Sequence, residues 1–390
     1  MDYYINTEIA EKFQISSTTV LRWIENALIK KNNLKVEIRN KKPRILVNEH
    51  NESEMKRLAE ESVKYRNNVS LSKPRISELF HKLFDKNEQI SIINDLKNQR
   101  ETRIKWTYKG EGADIWDKRY NSNVSPLKSS VDVMLKNSIS DIINYIGKHS
   151  VLNFFDIGCG TGQPLLNPIK TLSENFKINY TALDISLDVL KIAKENFKEW
   201  LPSLKFSEFQ IDFETTSLEP IIFDKWINNQ ESKNIIFCLG NTICNIDNRI
   251  QALKNIRYGL QKGDIFILSF GLDSGTNRSK LKYVQDPIVY ALQTQTLKLL
   301  GINIDSCEPD VFYDEVKRAK IKTLKLDQDY QISFRQGIEV NLKKSEKIII
   351  WKHHLLDLNK IIDELGSNGF IVRNIKTDSD QSNALVICEI

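Results

Sequence analysis

Ten residues in the middle of the chain, Phe154 to Gln163, read FFDIGCGTGQ and set an acid just ahead of three closely spaced glycines. An apolar run ending at Asp156 predicts a strand, and Gly158, Gly160 and Gly162 predict a tight turn that hands the chain to a helix. Such a turn lets a ligand lie against bare backbone. The Gly-x-Gly-x-Gly spacing departs from the Gly-x-Gly-x-x-Gly pattern of dinucleotide sites, and Asp156 beside the turn would repel a pyrophosphate. It would attract an ammonium or a sulfonium group instead. S-adenosylmethionine carries both cations and no phosphate, so Asp156, Gly158, Gly160, Gly162 and Gln163 are read as contacts for that cofactor. Cys159, inside the turn, reads as a space-filler, because nothing places a base or a second thiol beside it.

A site of this kind needs a sheet edge to hold it, and the following apolar runs supply one. Ile178 to Asp184 (INYTALD) predicts a second strand ending in an acid, and Phe206 to Ile211 a third that runs into Asp212 and Phe213. A fourth, Ile235 to Leu239, opens into Gly240, Asn241 and Thr242. Asp184 falls near the offset at which doubly wound folds place a ribose-binding carboxylate. Asp212 can accept from an adenine amino group while the Phe213 ring stacks on the base. Strands that all end in polar residues predict an α/β, doubly wound, mainly parallel sheet with its ligand in the carboxyl-end crevice. A glycine turn alone can be merely structural; the register of these later acids argues for the site.

The N-terminal stretch Asn6 to Glu25, NTEIAEKFQISSTTVLRWIE, predicts two short helices joined by a turn, with Thr7 and Ser16 as caps. Ile9, Ala10, Phe13, Ile15, Val20 and Trp23 fall where crossing helices would share a core. That layout is a helix-turn-helix. With the basic hairpin KVEIRNKKPRILVN after it, the segment resembles the excisionase and MerR-like winged helix-turn-helix family, departing at Gln14, where that family's turn usually carries glycine. The resemblance implies double-stranded DNA as a partner, with Ser17, Thr18, Thr19 and Arg22 on the reading face and Lys35, Arg39, Lys41, Lys42 and Arg44 along the wing. One copy is a small footprint, so a homodimer is expected. The plainer alternative is a basic surface used for protein contact. Residues 1–75 hold fifteen Lys/Arg against ten Asp/Glu, which accounts for the whole net charge of +5. Asn51 to Arg66 predicts an amphipathic helix with Asn51 and Glu54 as a capping box, and the polar stretch 67–74 a linker.

Residues 76–97 predict two further helices, and KWTYKGEGADIWDKRYN an ordered loop able to fold over a bound cofactor. From here TYKGEGADIWDKRY, DIGCGTGQ, ALDIS, IDFE, LGNTICNID and GFIVRNIKTDSDQSNALVICEI resemble the histidine-specific N-alpha-methyltransferase family of ergothioneine biosynthesis, over about residues 100–390. The resemblance implies a class I Rossmann-like methyltransferase with an inserted substrate domain at about 272–347. It also implies that Tyr108 and Gly158 meet the cofactor, Asp184 binds its ribose, Asp212 and Phe213 hold the adenine, and Asn245 grips the amino or carboxylate end of the acceptor. The family's Glu-x-Ser pair that reads an imidazole should fall near SEKIIIWKHH, which lacks it in the expected arrangement, so histidine is not implied as the acceptor. Asn245, Asp247, Tyr283, Tyr290, Trp351 and His353 are read as pocket-lining, with Asn245, Tyr283 and His353 as the catalytic candidates. Packed aromatics are the ordinary alternative for Tyr283 and Tyr290. His353 and His354 are placed at the start of a helix running through Leu365. No Asn/Asp-Pro-Pro-aromatic run follows the fourth strand, which disfavours methylation of a flipped base.

The expected organisation is a winged helix-turn-helix over 1–68, a linker and helices over 69–99, and an S-adenosylmethionine-dependent methyltransferase over 100–390, a length that suits more than one core. The expected reaction is N-methylation of an amino acid or related small metabolite. The alternatives are a ligand-sensing regulator without turnover and an enzyme acting on a macromolecule. Five cysteines without CxxC spacing read as free thiols of a reducing interior, with no metal site. The N-terminus lacks signal-peptide regions and no stretch approaches eighteen apolar residues, so the expectation is a cytoplasmic protein with no membrane partner.

Overall fold

The structure, a computed structural model, describes residues 6–390 apart from 14, 16, 29–31, 40–41, 68–71, 122–125, 229–231 and 280–285. Two compact units emerge: Met1–Glu101 with Leu297–Asp310 and Thr323–Ile349, and Thr102–Thr296 with Val311–Lys322 and Ile350–Ile390. Residues 1–68 therefore share a unit with later segments, and the stretch 272–347 is divided between the two units. The expected cap Ser16 and the turn residue Gln14 lie outside the described residues, as do residues 68–71 of the expected linker.

The first unit opens with α1 (Asn6–Lys12), α2 (Ser17–Leu28), the hairpin β1 (Val36–Arg39) and β2 (Lys42–Ile45), and α3 (Glu49–Asn67). Ile9, Ala10, Ile15, Val20, Trp23 and Ile24 close one core with Ile45, Met55 and Ala59. Asn51 does not head a capping box as read from sequence. It is buried one turn inside α3, where its side chain accepts from Lys35 N at 2.7 Å and donates to Lys35 O and Leu46 O. The cap belongs to Asn48, whose Oδ1 takes Asn51 N. Two helices follow as expected, α4 (Glu78–Leu83) and α5 (Lys86–Gln99), the latter capped by Asp85 and Glu88 reciprocally.

The second unit begins with α6 (Glu111–Asn121), α7 (Pro126–Lys136) and α8 (Ile139–Ile146). Alternating strands and helices come next: β3 (Val151–Ile157), α9 (Gln163–Leu172), β4 (Lys177–Asp184), α10 (Leu187–Trp200), β5 (Lys205–Gln210), α11 (Glu219–Asn228), β6 (Lys233–Cys238), α12 (Arg249–Arg257) and β7 (Ile265–Gly271). The chain continues through α13 (Gly275–Ser279), α14 (Pro287–Leu299), β8 (Glu308–Asp314), β9 (Ala319–Lys325), β10 (Tyr330–Ser333), β11 (Glu339–Leu342) and β12 (Lys347–His354). It closes with α15 (Leu358–Ser367), β13 (Ile371–Thr377) and β14 (Asn383–Glu389). Among the described residues no helix is long and apolar enough to cross a membrane.

Near-continuous apolar runs such as VLNFFDI and IFILSFG suit strands covered on both faces. They form the centre of a seven-stranded sheet ordered β13-β14-β7-β6-β3-β4-β5, parallel from β7 to β5, with β14 running antiparallel between β7 and β13. Alternation along β3 sends Leu152 and Phe154 into one apolar layer and Phe155 and Ile157 into the other. From β3 the chain winds to β4 on one side and later to β6 on the other. That reversal opens a crevice at the carboxyl ends. Smaller sheets pair β10 with β11 and order β12-β9-β8.

Two stretches differ from their sequence reading. The expected loop at 105–121 is the end of a 3₁₀ turn, Ile104–Tyr108, followed by α6. His353 and His354 end strand β12 and do not open a helix; the run of Ile348, Ile349 and Ile350 favours extended backbone, and Asp357 caps α15 by accepting from Asn359 N and Lys360 N.

At the sheet's other edge a polar ladder locks the strands: Asn179 Nδ2 donates to Asn153 Oδ1 at 2.9 Å, Asn153 Nδ2 to Asn234 Oδ1 at 3.1 Å, and Asn234 Nδ2 to Asp264 Oδ2 at 3.0 Å. Asn153 is 2% exposed, so truncation strands buried partners. Asn153→Ala is expected to lower unfolding stability by about 1–3 kcal/mol with cofactor affinity unchanged, measured by urea titration and calorimetry; an unchanged denaturation midpoint would remove the ladder from the account.

Candidate active site

The glycine turn after β3 is built as its sequence requires. Gly158, Gly160 and Gly162 have φ of 62°, 53° and 75°, values that disfavour any side chain. Gly158 N donates to Leu183 O at 2.7 Å, tying the turn to β4. A cavity lies over this turn, and its wall includes Asp156, Gly158, Gly160, Asp184, Asp212 and Phe213. All come from the carboxyl ends of β3, β4 and β5.

Its electrostatics are unbalanced. Asp156 is 3% exposed and accepts from Tyr180 Oη at 2.7 Å. Asp184 accepts from Ser186 N at 3.0 Å and Gly160 N at 3.3 Å. Among the described residues neither carboxylate has a lysine or arginine in ion-pair range. Burial pushes Asp156 up to about 7, offset by the Tyr180 hydrogen bond and reinforced by Asp184. Burial likewise pushes Asp184 up to about 6 against the backbone donors. A buried acid beside a half-buried one, with no cation in ion-pair range among the described residues, makes a site for a cation.

Opposite the turn stands an aromatic wall of Tyr108, Trp116 and Tyr120. Trp116 meets Tyr108 edge-on at 5.5 Å and Tyr120 at 6.1 Å. Ser186 Oγ donates to Tyr108 O at 2.6 Å and Gly110 N to Asp188 Oδ2 at 2.7 Å, so α10 fixes this segment. Lys105 bridges Asp212 at 2.8 Å and Glu214 at 3.2 Å. Glu214 in turn accepts from Asp247 N and Asn248 N. Beyond β6, Asn241, Thr242 and Asn245 complete the wall. Asn245 Oδ1 accepts from His353 Nδ1 at 3.2 Å.

Several expected contacts fall elsewhere. Gly162 and Gln163 do not line the cavity; a side chain at Gly162 would strike the Phe197 ring at 2.3 Å, so this glycine serves helix packing. His353 is buried behind Asn245, stacked 5.4 Å from Trp351, and is not part of the cavity wall. Tyr283 lies outside the described residues. Tyr290 carries the Lys322 ammonium over its ring at 5.0 Å and is not part of the wall either. Asp247 pairs with Lys352 at 2.6 Å as a latch. Trp116, Tyr120 and Lys105 were not singled out from sequence, and Asn241 only as a polar strand end, although all sit inside quoted motifs; a helical period across ADIWDKRY would have placed Trp116 and Tyr120 on one face.

In the first unit the N-terminal candidates divide. Thr19 is 5% exposed, buried by the packing of α2, so it cannot belong to an open reading face. Arg22 pairs with Asp305 at 3.0 Å. Ser17 is exposed and Arg44 half-buried. Lys41 and the side chains of Thr18, Arg39 and Lys42 lie outside the description.

A sequence model of the family described as "Histidine-specific methyltransferase, SAM-dependent" matches residues 88–390. The chain belongs to that family. This methyltransferase uses S-adenosylmethionine, a cation without phosphate, and the cavity wall offers it the carboxylates of Asp156 and Asp184. Among solved structures it is similar to an S-adenosylmethionine-dependent methyltransferase from Clostridium acetobutylicum, at 14% identity over 72% of this chain and 98% of the other, TM-score 0.36. It is similar to the CcbJ methyltransferase from Streptomyces caelestis, at 10% over 71% and 95%, TM-score 0.40. Magnesium protoporphyrin IX methyltransferase from Synechocystis gives 11% over 73% and 97%, TM-score 0.41. No curated protein matches the sequence.

A cationic cofactor favours ionised carboxylates, so binding must weaken as Asp156 and Asp184 take up protons. We expect S-adenosylmethionine affinity to fall at least about tenfold between pH 8 and pH 5, as linkage requires. The folded-state value of Asp156 lies above the ordinary 3.8, so its ionisation opposes folding increasingly from about pH 4 through 7. Asp156→Asn should therefore raise Tm at pH 8 while weakening the cofactor; a flat affinity profile or a lowered Tm at pH 8 contradicts this electrostatic account.

Proposed function

We propose that the protein N-methylates a small amine, an amino acid or related metabolite, with the cofactor along the β3 to β5 edge and the acceptor at the β6 edge. One observation carries the reading. Asn241 is part of this wall, and its Oδ1 is a buried acceptor with no partner among the described residues. Leaving such an oxygen unpaired costs on the order of 1–3 kcal/mol, which an acceptor N–H would offset. Asn245 complements it: with Oδ1 occupied by His353, its amide nitrogen is left to donate to a carboxylate. One acceptor and one donor suit the two ends of an amino acid.

Bound S-adenosylmethionine supplies an electrophilic methyl group. The chain's task is alignment and exclusion of water. In this reading Asp184 binds the ribose, Asp212 and Phe213 flank the adenine, and the faces of Tyr108, Trp116 and Tyr120 favour the cation. His353 is held down to about 3 by burial, helped by Lys320 and His354, so it is a neutral ring that positions Asn245 and takes no proton. The acceptor enters as the free amine, and its proton leaves to solvent.

Asp184→Ala should weaken calorimetric affinity for S-adenosylmethionine by about 1.5–3 kcal/mol, the scale of a charge-assisted hydrogen bond, whereas Asn241→Ala should leave that affinity intact and slow release of S-adenosylhomocysteine in the presence of amino-acid acceptors. Unchanged affinity in the first variant would sink the cofactor assignment, and unchanged turnover in the second would sink the acceptor assignment.

We also infer that the N-terminal helices and hairpin act as a winged helix-turn-helix on double-stranded DNA. The support is the shared core of α1, α2, the hairpin and α3 together with the basic excess of residues 1–75. With Thr19 buried and Arg22 paired, the wing carries more of the contact than the second helix, and a homodimer would double it. Replacing Lys41, Lys42 and Arg44 with alanine should flatten the salt dependence of duplex binding by about 0.9 per lost phosphate contact. An unmoved slope removes the wing. Cofactor-dependent DNA occupancy without any turnover would favour a sensor over an enzyme.

A further inference from the structure

Strand β9 carries a lysine that packing does not explain. Lys322 is 5% exposed, its ammonium lies 5.0 Å from the centre of the Tyr290 ring, and among the described residues no carboxylate stands within ion-pair distance. The nearest influence is Asp286, which is committed to Arg119 at 3.1 Å. Burial holds the amine down to about 8, which still leaves it mostly cationic at neutral pH. A buried ammonium without a counter-ion opposes folding, so its retention calls for an anion from elsewhere.

Around it α14 presents a polar surface inside the protein. Gln293, Thr294, Gln295 and Thr296 are all buried, an unusual run for a helix interior. Gln293, three residues from Tyr290 and so on the same face, has an Oε1 with no partner among the described residues. Contacts from these surroundings reach residues beside the active-site cavity from two directions. Gln295 Nε2 donates to Lys109 O at 3.0 Å, beside Tyr108, and Arg119 lies on α6 with Trp116 and Tyr120. On the other side Lys320, two residues along β9 and on the same face, acts on His353, which holds Asn245.

We infer that Lys322 anchors an oxyanion of the methyl acceptor, a carboxylate or a phosphoryl group remote from the nitrogen that receives the methyl, with the Tyr290 ring and Gln293 shaping its slot. The inference rests on the methyltransferase reading of the cavity and narrows its acceptor to an acidic amino acid or a phosphorylated amine. It also accounts for the missing imidazole-reading pair: the far end of the acceptor is charged.

The test uses the full chain saturated with S-adenosylhomocysteine and isothermal titration of aspartate, glutamate, O-phosphoserine and phosphoethanolamine against asparagine, glutamine, serine and ethanolamine. At least one acidic probe should bind tenfold or more tightly than its neutral counterpart, and whether it bears carboxylate or phosphate names the source of the oxyanion. Lys322→Met should erase that preference while Tm is unchanged or higher, since it removes a buried charge; Lys322→Arg should keep part of it. Equal binding of neutral probes, binding of no acidic probe, or a preference that survives Lys322→Met overturns the inference. Failure to bind S-adenosylhomocysteine at all would instead strike the methyltransferase reading beneath it.

Discussion

Two carboxylates at one sheet edge, one buried and one half-buried, with no cation in ion-pair range among the described residues, set the terms for the rest of this active site. Asp156 and Asp184 end adjacent parallel strands, and the fold supplies them with only a phenol and backbone N–H donors. Burial raises both, so the protein holds unfavourable electrostatic energy that a positively charged ligand relieves. The glycine turn over them follows from the same constraint. Its left-handed backbone admits little else, and side chains at Gly158 and Gly162 would strike Thr242 and the Phe197 ring.

The sheet separates this unstable edge from a rigid one. At the amino ends Asn179, Asn153, Asn234 and Asp264 form a chain of side-chain hydrogen bonds across four strand positions, with Asn179 Oδ1 left over at its end. At the carboxyl ends polar atoms such as Asn241 Oδ1 stay unpaired. The hydrogen-bonded ladder lies at one edge and the cavity at the other, with two apolar layers holding strand register between them.

Much of this was legible in the sequence because strand-end sites are local in sequence as well as in space. FFDIGCGTGQ, ALD and IDF each carry their ligand-facing residues within a few positions of a strand, and the structure joins them at one cavity. The same locality misled for Gly162 and Gln163, since a glycine can be needed for packing as readily as for a ligand, and only the tertiary neighbour Phe197 decides. KWTYKGEGADIWDKRYN looked like a loop because its glycines and aromatics mask a helical period. His353, read as a pocket-lining candidate at a helix start, ends a strand behind Asn245 instead, because the preference of three isoleucines for extended backbone outweighs a helix start. Lys322 had no local signal: a lysine in TLKL reads as surface until the fold buries it. The N-terminal core was legible from apolar spacing, whereas the burial of Thr19 and the pairing of Arg22 depend on later segments of the chain.

The central claim, that the cavity's uncompensated acids are completed by a cationic cofactor, is tested most directly by proton exchange on binding. Calorimetry of S-adenosylmethionine at pH 6.5, in buffers of differing ionisation enthalpy, separates proton transfer from binding heat. Net proton release to the buffer is expected as Asp156 and Asp184 ionise against the bound cation. Binding with no proton exchange, or with proton uptake, would contradict it.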